Sequence, residues 1–229
     1  MKFTPGPTIA AASGSIGGTV YSHNRGGMYT RNRSIPITST TSFALNAKQR
    51  LATASQDWQG LSDTQRASWL QWALQNPVTD TLGFPRHLTG HQSFVGINTR
   101  LLLQVAPTLT APPITPAPDG LLSVVVDGDI GAGDVDLTFT GTPLAAGVRL
   151  WIEAAVTNSV GINNVNNLLR FLGTSPITQV SPFDIQSLVE TRLGTLIVGQ
   201  KLFVRVSTFE DTTGLLSLPL VDDVVITTT

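Results

Sequence analysis

The chain has 229 residues, no cysteine, 13% charged residues and a formal net charge of −1. Its length suffices for one large or two small domains with real cores, and the lack of cysteine excludes disulfides, thiolate metal sites and thiol chemistry. A charged fraction well below the roughly 25% of an average soluble domain leaves a neutral, Thr-rich surface. Such a surface suits proteins packed against copies of themselves, and secreted β-proteins as well.

The small net charge hides a division along the chain. Residues 1–105 carry nine bases (Lys2, Arg25, Arg31, Arg33, Lys48, Arg50, Arg66, Arg86, Arg100) against Asp57, Asp63 and Asp80, a net of +6, whereas residues 106–229 carry five bases against twelve acids, a net of −7. With a Pro-rich break at the changeover, this asymmetry predicts two separately built units. It also predicts self-assembly, because a basic front on one copy complements an acidic rear on another.

The opening, MKFTPGPTIAAASGSIGGTVY, is interrupted by Ser13, Gly14 and Ser15 before an apolar stretch of signal-peptide length develops, and no run reaches membrane-span length. The expectation is a protein assembled in a cytoplasm, with no membrane partner. Residues 1–40 are too poor in core-forming side chains to close a core alone and read as an extended docking arm. Within it, Thr19 to Ile35 reads as a β-hairpin around the turn-rich SHNRGG, ended by Pro36. Such an arm gains order by adding strands to a neighbour.

Residues 41–105 read as a helical domain. Ala44, Ala47, Leu51, Ala54 and Trp58 share a helical face, with Gly60 as the C-terminal stop. Ser62 and Gln65 form a capping-box pattern that opens a second helix carrying Trp69, Leu70, Trp72, Ala73 and Leu74, ended by Asn76 and Pro77. TDTLGFPRHL reads as a turn or small β-hairpin, and Thr89 with Gln92 opens a third helix with Phe94, Ile97 and Leu101 at its core face. Residues 106–120, with five prolines, read as a stiff linker. Residues 121–229 show short β-runs at 121–126, 135–139, 148–156, 168–172, 202–207 and 224–228, the pattern of an antiparallel sandwich. SPFDIQSLVETRLG adds one short helix with Gly194 as its cap. The predicted fold is therefore multi-domain α+β: an extended N-terminal arm with a β-hairpin, a small Trp-rich unit of three helices, and a C-terminal antiparallel β-sandwich.

Two resemblances follow. The stretch GSIGGTVYSHNRGGMYTRNRSIP, then KQR, DWQGLSDTQRASWLQWA and GHQSFVGINTRLL, resembles a module of tailed-phage and prophage structural proteins over about residues 13–105. Its marks are the Arg-Gly-Gly loop, Arg31 with Arg33, and the spaced Trp58 and Trp69. More loosely, GQKLFVRVSTFEDTTGLLSLP resembles the last strand pair of a fibronectin type III or similar Ig-like sandwich, with Leu202 and Phe203 standing where a tyrosine is expected.

No catalytic constellation is present: the three histidines, His23, His87 and His91, lack the acid and nucleophile that a triad needs, and no enzyme or cofactor is expected. His87 and His91 have metal spacing on a helix, which Pro85 and Gly90 oppose, so they read as loop or interface residues. DGDIGAGDVD (residues 127–136) has Ca²⁺-type ligands without a bidentate Glu at EF-hand spacing, and reads as a turn. Tyr21, Arg25, Tyr29, Arg31 and Arg33 suit docking on an acidic protein surface, with phosphate contact to nucleic acid the less favoured use. Trp58, Trp69 and Trp72 have core or interface spacing, with sugar stacking as the alternative.

The sequence thus predicts a non-enzymatic structural component of a bacteriophage particle, as head decoration or a neck or tail connector. It would act through homo-oligomerisation and contact with other virion proteins. Tyr21, Arg25, Tyr29, Arg31, Arg33, Trp58, Trp69 and Trp72 are the interface candidates. A carbohydrate-binding or host-adhesion virion protein, and a DNA-contacting internal protein, are the alternatives.

Overall fold

The computed structural model describes residues 12–24, 27–35, 40–79, 83–131, 135–141 and 143–228. The fold is mixed α and β, with four helices and several antiparallel sheets among the described residues. The chain divides into two compact units, Met1–Asn46 and Ala47–Thr229.

The first unit holds a three-stranded meander of β1 (Gly14–Ile16), β2 (Thr19–Asn24) and β3 (Gly27–Asn32). Gly17, at φ 56°, makes the tight turn between β1 and β2, a backbone shape that favours glycine. Strands β2 and β3 realise the expected hairpin, with Tyr21 opposite Thr30 and Val20 opposite Arg31. Strand β1, pairing Ser15 with Val20, extends it by one strand. Among the described residues from 12 to 46, none is buried.

Helix α1 (Ser42–Gln59) follows, its first turn closed by Ala44 N donating to Thr41 Oγ1. Of its predicted apolar face, Ala54 is enclosed and Trp58 is half-buried, while Leu51 is 53% exposed. The C-terminal half of the stripe is therefore the half that packs. Helix α2 (Asp63–Gln75) opens with the complete capping box: Gln65 N donates to Ser62 Oγ, and Ser62 N to Gln65 Oε1. Two short strands, β4 (Val78–Thr79) and β5 (Pro85–Arg86), form the expected small hairpin. Helix α3 (Gly90–Leu103) has its own box of Thr89 and Gln92, and buries Phe94, Ile97 and Leu101. Gly90 permits its close seat on α2, because a Cβ there would meet Leu70 N at 2.8 Å.

The remaining strands are β6 (Val124–Val126), β7 (Asp136–Phe139), β8 (Val148–Thr157), β9 (Arg170–Thr174), β10 (Phe183–Asp184), β11 (Lys201–Glu210) and β12 (Leu220–Val225). They form a three-stranded sheet of order β10-β7-β6 and a four-stranded sheet of order β12-β11-β8-β9. Alternation on β8 sends Leu150, Ile152 and Ala154 into one cluster with Leu137 and Phe139 of β7 and Leu202, Val204 and Val206 of β11. Helix α4 (Gln186–Leu193) ends at Gly194, at φ 98°, as expected from SPFDIQSLVETRLG, and adds Val189 to the same cluster.

The opposite face of the four-stranded sheet is covered as well. At one end Phe209 and Trp151 join Leu61, Trp69, Phe94, Ile97 and Leu101 in a second cluster, so helices and sheet share apolar core. At the other, Ala155 and Phe203 pack with Val165. The Pro-rich 106–120 stretch contains no helix or strand and is fastened along its length. Asn98, itself enclosed, exchanges two hydrogen bonds with Leu109, Trp69 Nε1 donates to Thr110 O at 3.1 Å, and Thr208 Oγ1 donates to Asp119 O at 2.8 Å. The amide and the indole thereby meet the hydrogen-bonding demand of buried polar atoms. No helix among the described residues is long and apolar enough to cross a membrane.

Candidate functional site

The predicted interface residues fall into two groups. In the first unit, strand pairing decides which side chains can act together. Cross-strand partners share a face and successive residues alternate, so Tyr29 and Arg31 lie on one face with Ser22 and Val20, and Tyr21 lies on the other with Thr30. Arg33 follows β3, its N–H donating to Gly18 O at 2.7 Å, which continues the ladder and places it in phase with Arg31 and Tyr29. The meander therefore has one face carrying a tyrosine and two arginines, and a second face carrying Tyr21, His23 and Met28. Arg25 lies outside the described residues.

In the second unit, Trp58 and Trp69 meet on Phe94, and Trp72 on Trp69. The ring centroids of Trp58 and Trp69 each lie 5.3 Å from that of Phe94, and Trp69 and Trp72 are 6.0 Å apart, all edge-on. Edge-to-face contacts of this kind add to the area that aromatic rings bury. Trp69 is 0% exposed and is a core residue, while Trp58 and Trp72 keep part of their surface in solvent. His91, in the first turn of α3, packs edge-on against Trp58 at 5.4 Å. His87 precedes that helix.

In the 127–136 stretch, Asp127 N donates to Asp136 O, and Asp129 accepts from Gly131 N at 2.9 Å. Asp129 also makes a parallel bridge with Thr227. These contacts place the described part of the stretch in the connection from β6 to β7; Asp134 lies outside the described residues. No group of three or more metal-ligating side chains occurs among the described residues.

A charged cluster that the sequence reading missed lies where α3 meets the sheet. Arg205 on β11 donates through Nε and Nη2 to Glu153 Oε2 on β8, its cross-strand partner, and Trp151 Nε1 donates to Glu153 Oε1 at 3.3 Å. Arg100, in the last turn of α3, donates to Gly214 O at 3.0 Å. Burial lowers its pKa, and the attraction of Glu153 partly restores it. The only local hint was an arginine one helical turn from the glycine of GHQSFVGINTR; the partners lie over fifty residues away, where spacing carries no signal. No family model matches the chain, and no curated protein matches it.

Proposed function

We propose that the chain is a structural component of a bacteriophage particle, as head decoration or a neck or tail connector, acting by protein–protein assembly and self-association. The observation that carries this reading is the meander β1-β2-β3, an ordered sheet whose described residues include none that is buried. Three strands need a hydrophobic face packed on something to persist in water, so a partner surface supplies what the arm lacks. Arg31, Arg33 and Tyr29 on one face suit an acidic partner, and residues 106–229 carry a net of −7.

Three further features support the reading. The resemblance of residues 13–105 to a tailed-phage module is one. The second is an apolar surface on the Trp-bearing helices, where Leu70 and Leu74, one turn apart on α2, are 50% and 49% exposed. Exposed apolar patches of this kind mark interaction sites. The third is the pair of sheets, of orders β6-β7-β10 and β9-β8-β11-β12, which we read as an Ig-like sandwich because side chains of both meet in one core cluster. Trp151, the sole tryptophan of that region, is wedged between Phe171 and Phe209, at centroid distances of 4.2 and 5.6 Å. This packing leaves little aromatic platform for a sugar, which is why we favour assembly over glycan adhesion.

Quantitative mass spectrometry of gradient-purified particles tests the reading. Hundreds of copies per particle are expected for a head coat or tail tube, and about a dozen or fewer for a neck or tail-tip fitting; absence from the particle would reject it. Protease should also remove the first 35 to 40 residues from an isolated subunit and spare them in the assembled form. Equal protection in both states would refute the docking-arm role.

A further inference from the structure

A recess of about 240 Å³ opens between α2, α3 and the chain that follows β11, walled by Trp72, Leu88, Ile97, Leu215 and Leu216, with Gly96 and Arg100 also lining it. Two features of it are unexplained by packing. Gly96 sits in the middle of α3, where glycine is among the weakest helix formers. Neither a close approach nor a left-handed backbone requires it, since a Cβ there would meet nothing within 4 Å. Arg100 is partly buried and forms no ion pair among the described residues. Its one described bond is to the Gly214 carbonyl, and the carboxylate that it feels, Glu153, is already bonded by Arg205 and Trp151. Among the described residues, then, no carboxylate lies within ion-pair distance of Arg100.

We propose that this recess binds an apolar monocarboxylate, with Arg100 holding the carboxylate and the omission of a side chain at position 96 keeping the space open. A planar guanidinium has five donors and suits carboxylate geometry, and the apolar walls take the hydrocarbon part, as in small-molecule pockets generally.

The test is a titration of the full chain with 3-phenylpropanoate and with its uncharged amide, followed by amide NMR shifts. Saturable shifts at Gly96, Arg100 and Leu215 are expected with the acid, with affinity about tenfold weaker for the amide, the loss expected of one charge-assisted hydrogen bond. Arg100→Gln removes the cation but also frees the Gly214 carbonyl, so Gly96→Leu is the cleaner variant. It fills the recess from a position with room for a side chain, and should abolish binding while leaving the thermal midpoint unlowered. Equal binding of acid and amide, absence of a saturable shift, or binding that survives Gly96→Leu would overturn the proposal. So would a lowered midpoint in that variant, since it would mean that the space is not there. N-acetylphenylalanine in the same titration separates two sources: tighter binding than 3-phenylpropanoate identifies the end of a peptide chain, weaker binding a free acid.

Discussion

Gly90 sets how closely α3 approaches α2. The atoms a Cβ would strike are backbone, Leu70 N at 2.8 Å and Leu70 Cα at 3.1 Å, and backbone cannot swing aside as the tip of a long side chain can. Gly90→Ala is therefore expected to lower stability by about 1–3 kcal/mol, the usual cost of overpacking, read as a shift in the urea midpoint. Trp69→Phe acts by the opposite route. It leaves a void and deprives the Thr110 carbonyl of its donor, so a loss of about 2–4 kcal/mol is expected in the same measurement. A loss below 1 kcal/mol would mean that the indole hydrogen bond contributes nothing. Neither role was legible in the sequence. A glycine after Thr89 and a tryptophan at helical spacing look alike whether their neighbours are solvent, another copy or a strand far along the chain.

At the level of elements, what was legible is what local chemistry determines. Ser62 with Gln65 and Thr89 with Gln92 announce helix starts because the side chains satisfy orphan N–H groups within three residues. Ser62→Ala should accordingly cost about 1 kcal/mol, measurable by thermal unfolding, with Gln71→Ala, at an exposed position of the same helix, as a control that leaves the box intact. Gly194 marks the end of α4 for the same local reason, by tolerating φ 98°. Strands were placed with less accuracy. Strand β1 is only three residues long and carries no alternation to read, and β12 spans Leu220–Val225 where the apolar run suggested 224–228. A period of two says that Trp151 and Ile152 face opposite ways, not that the second face is covered by helices.

For the second unit as a whole, composition suggested a helical domain and a sandwich joined by a stiff linker. The side chains that close the helical core include Phe209 and Trp151 from the sheet, and residues 106–120 are held by Asn98, Trp69 and Thr208. One calorimetric transition is expected for residues 47–229, with the helical and strand signals of circular dichroism melting together. Two resolved transitions would mean that the shared cluster is energetically slight. The change of composition at the prolines is real, but proline content reports stiffness, and stiffness is as useful for a strap as for a spacer.

The bond from Arg100 to the Gly214 carbonyl joins groups 114 positions apart. A chain emerging from the ribosome completes α3 first, yet Phe209 and Gly214, which seal its inner side, follow more than a hundred residues later. Non-local closure of this kind slows folding, and it leaves Trp69, Phe94 and Leu101 without their full cover while the strands are being made. The helices must wait for β11 and the turn after it, and a truncation just before residue 209 would remove a wall from helices already made.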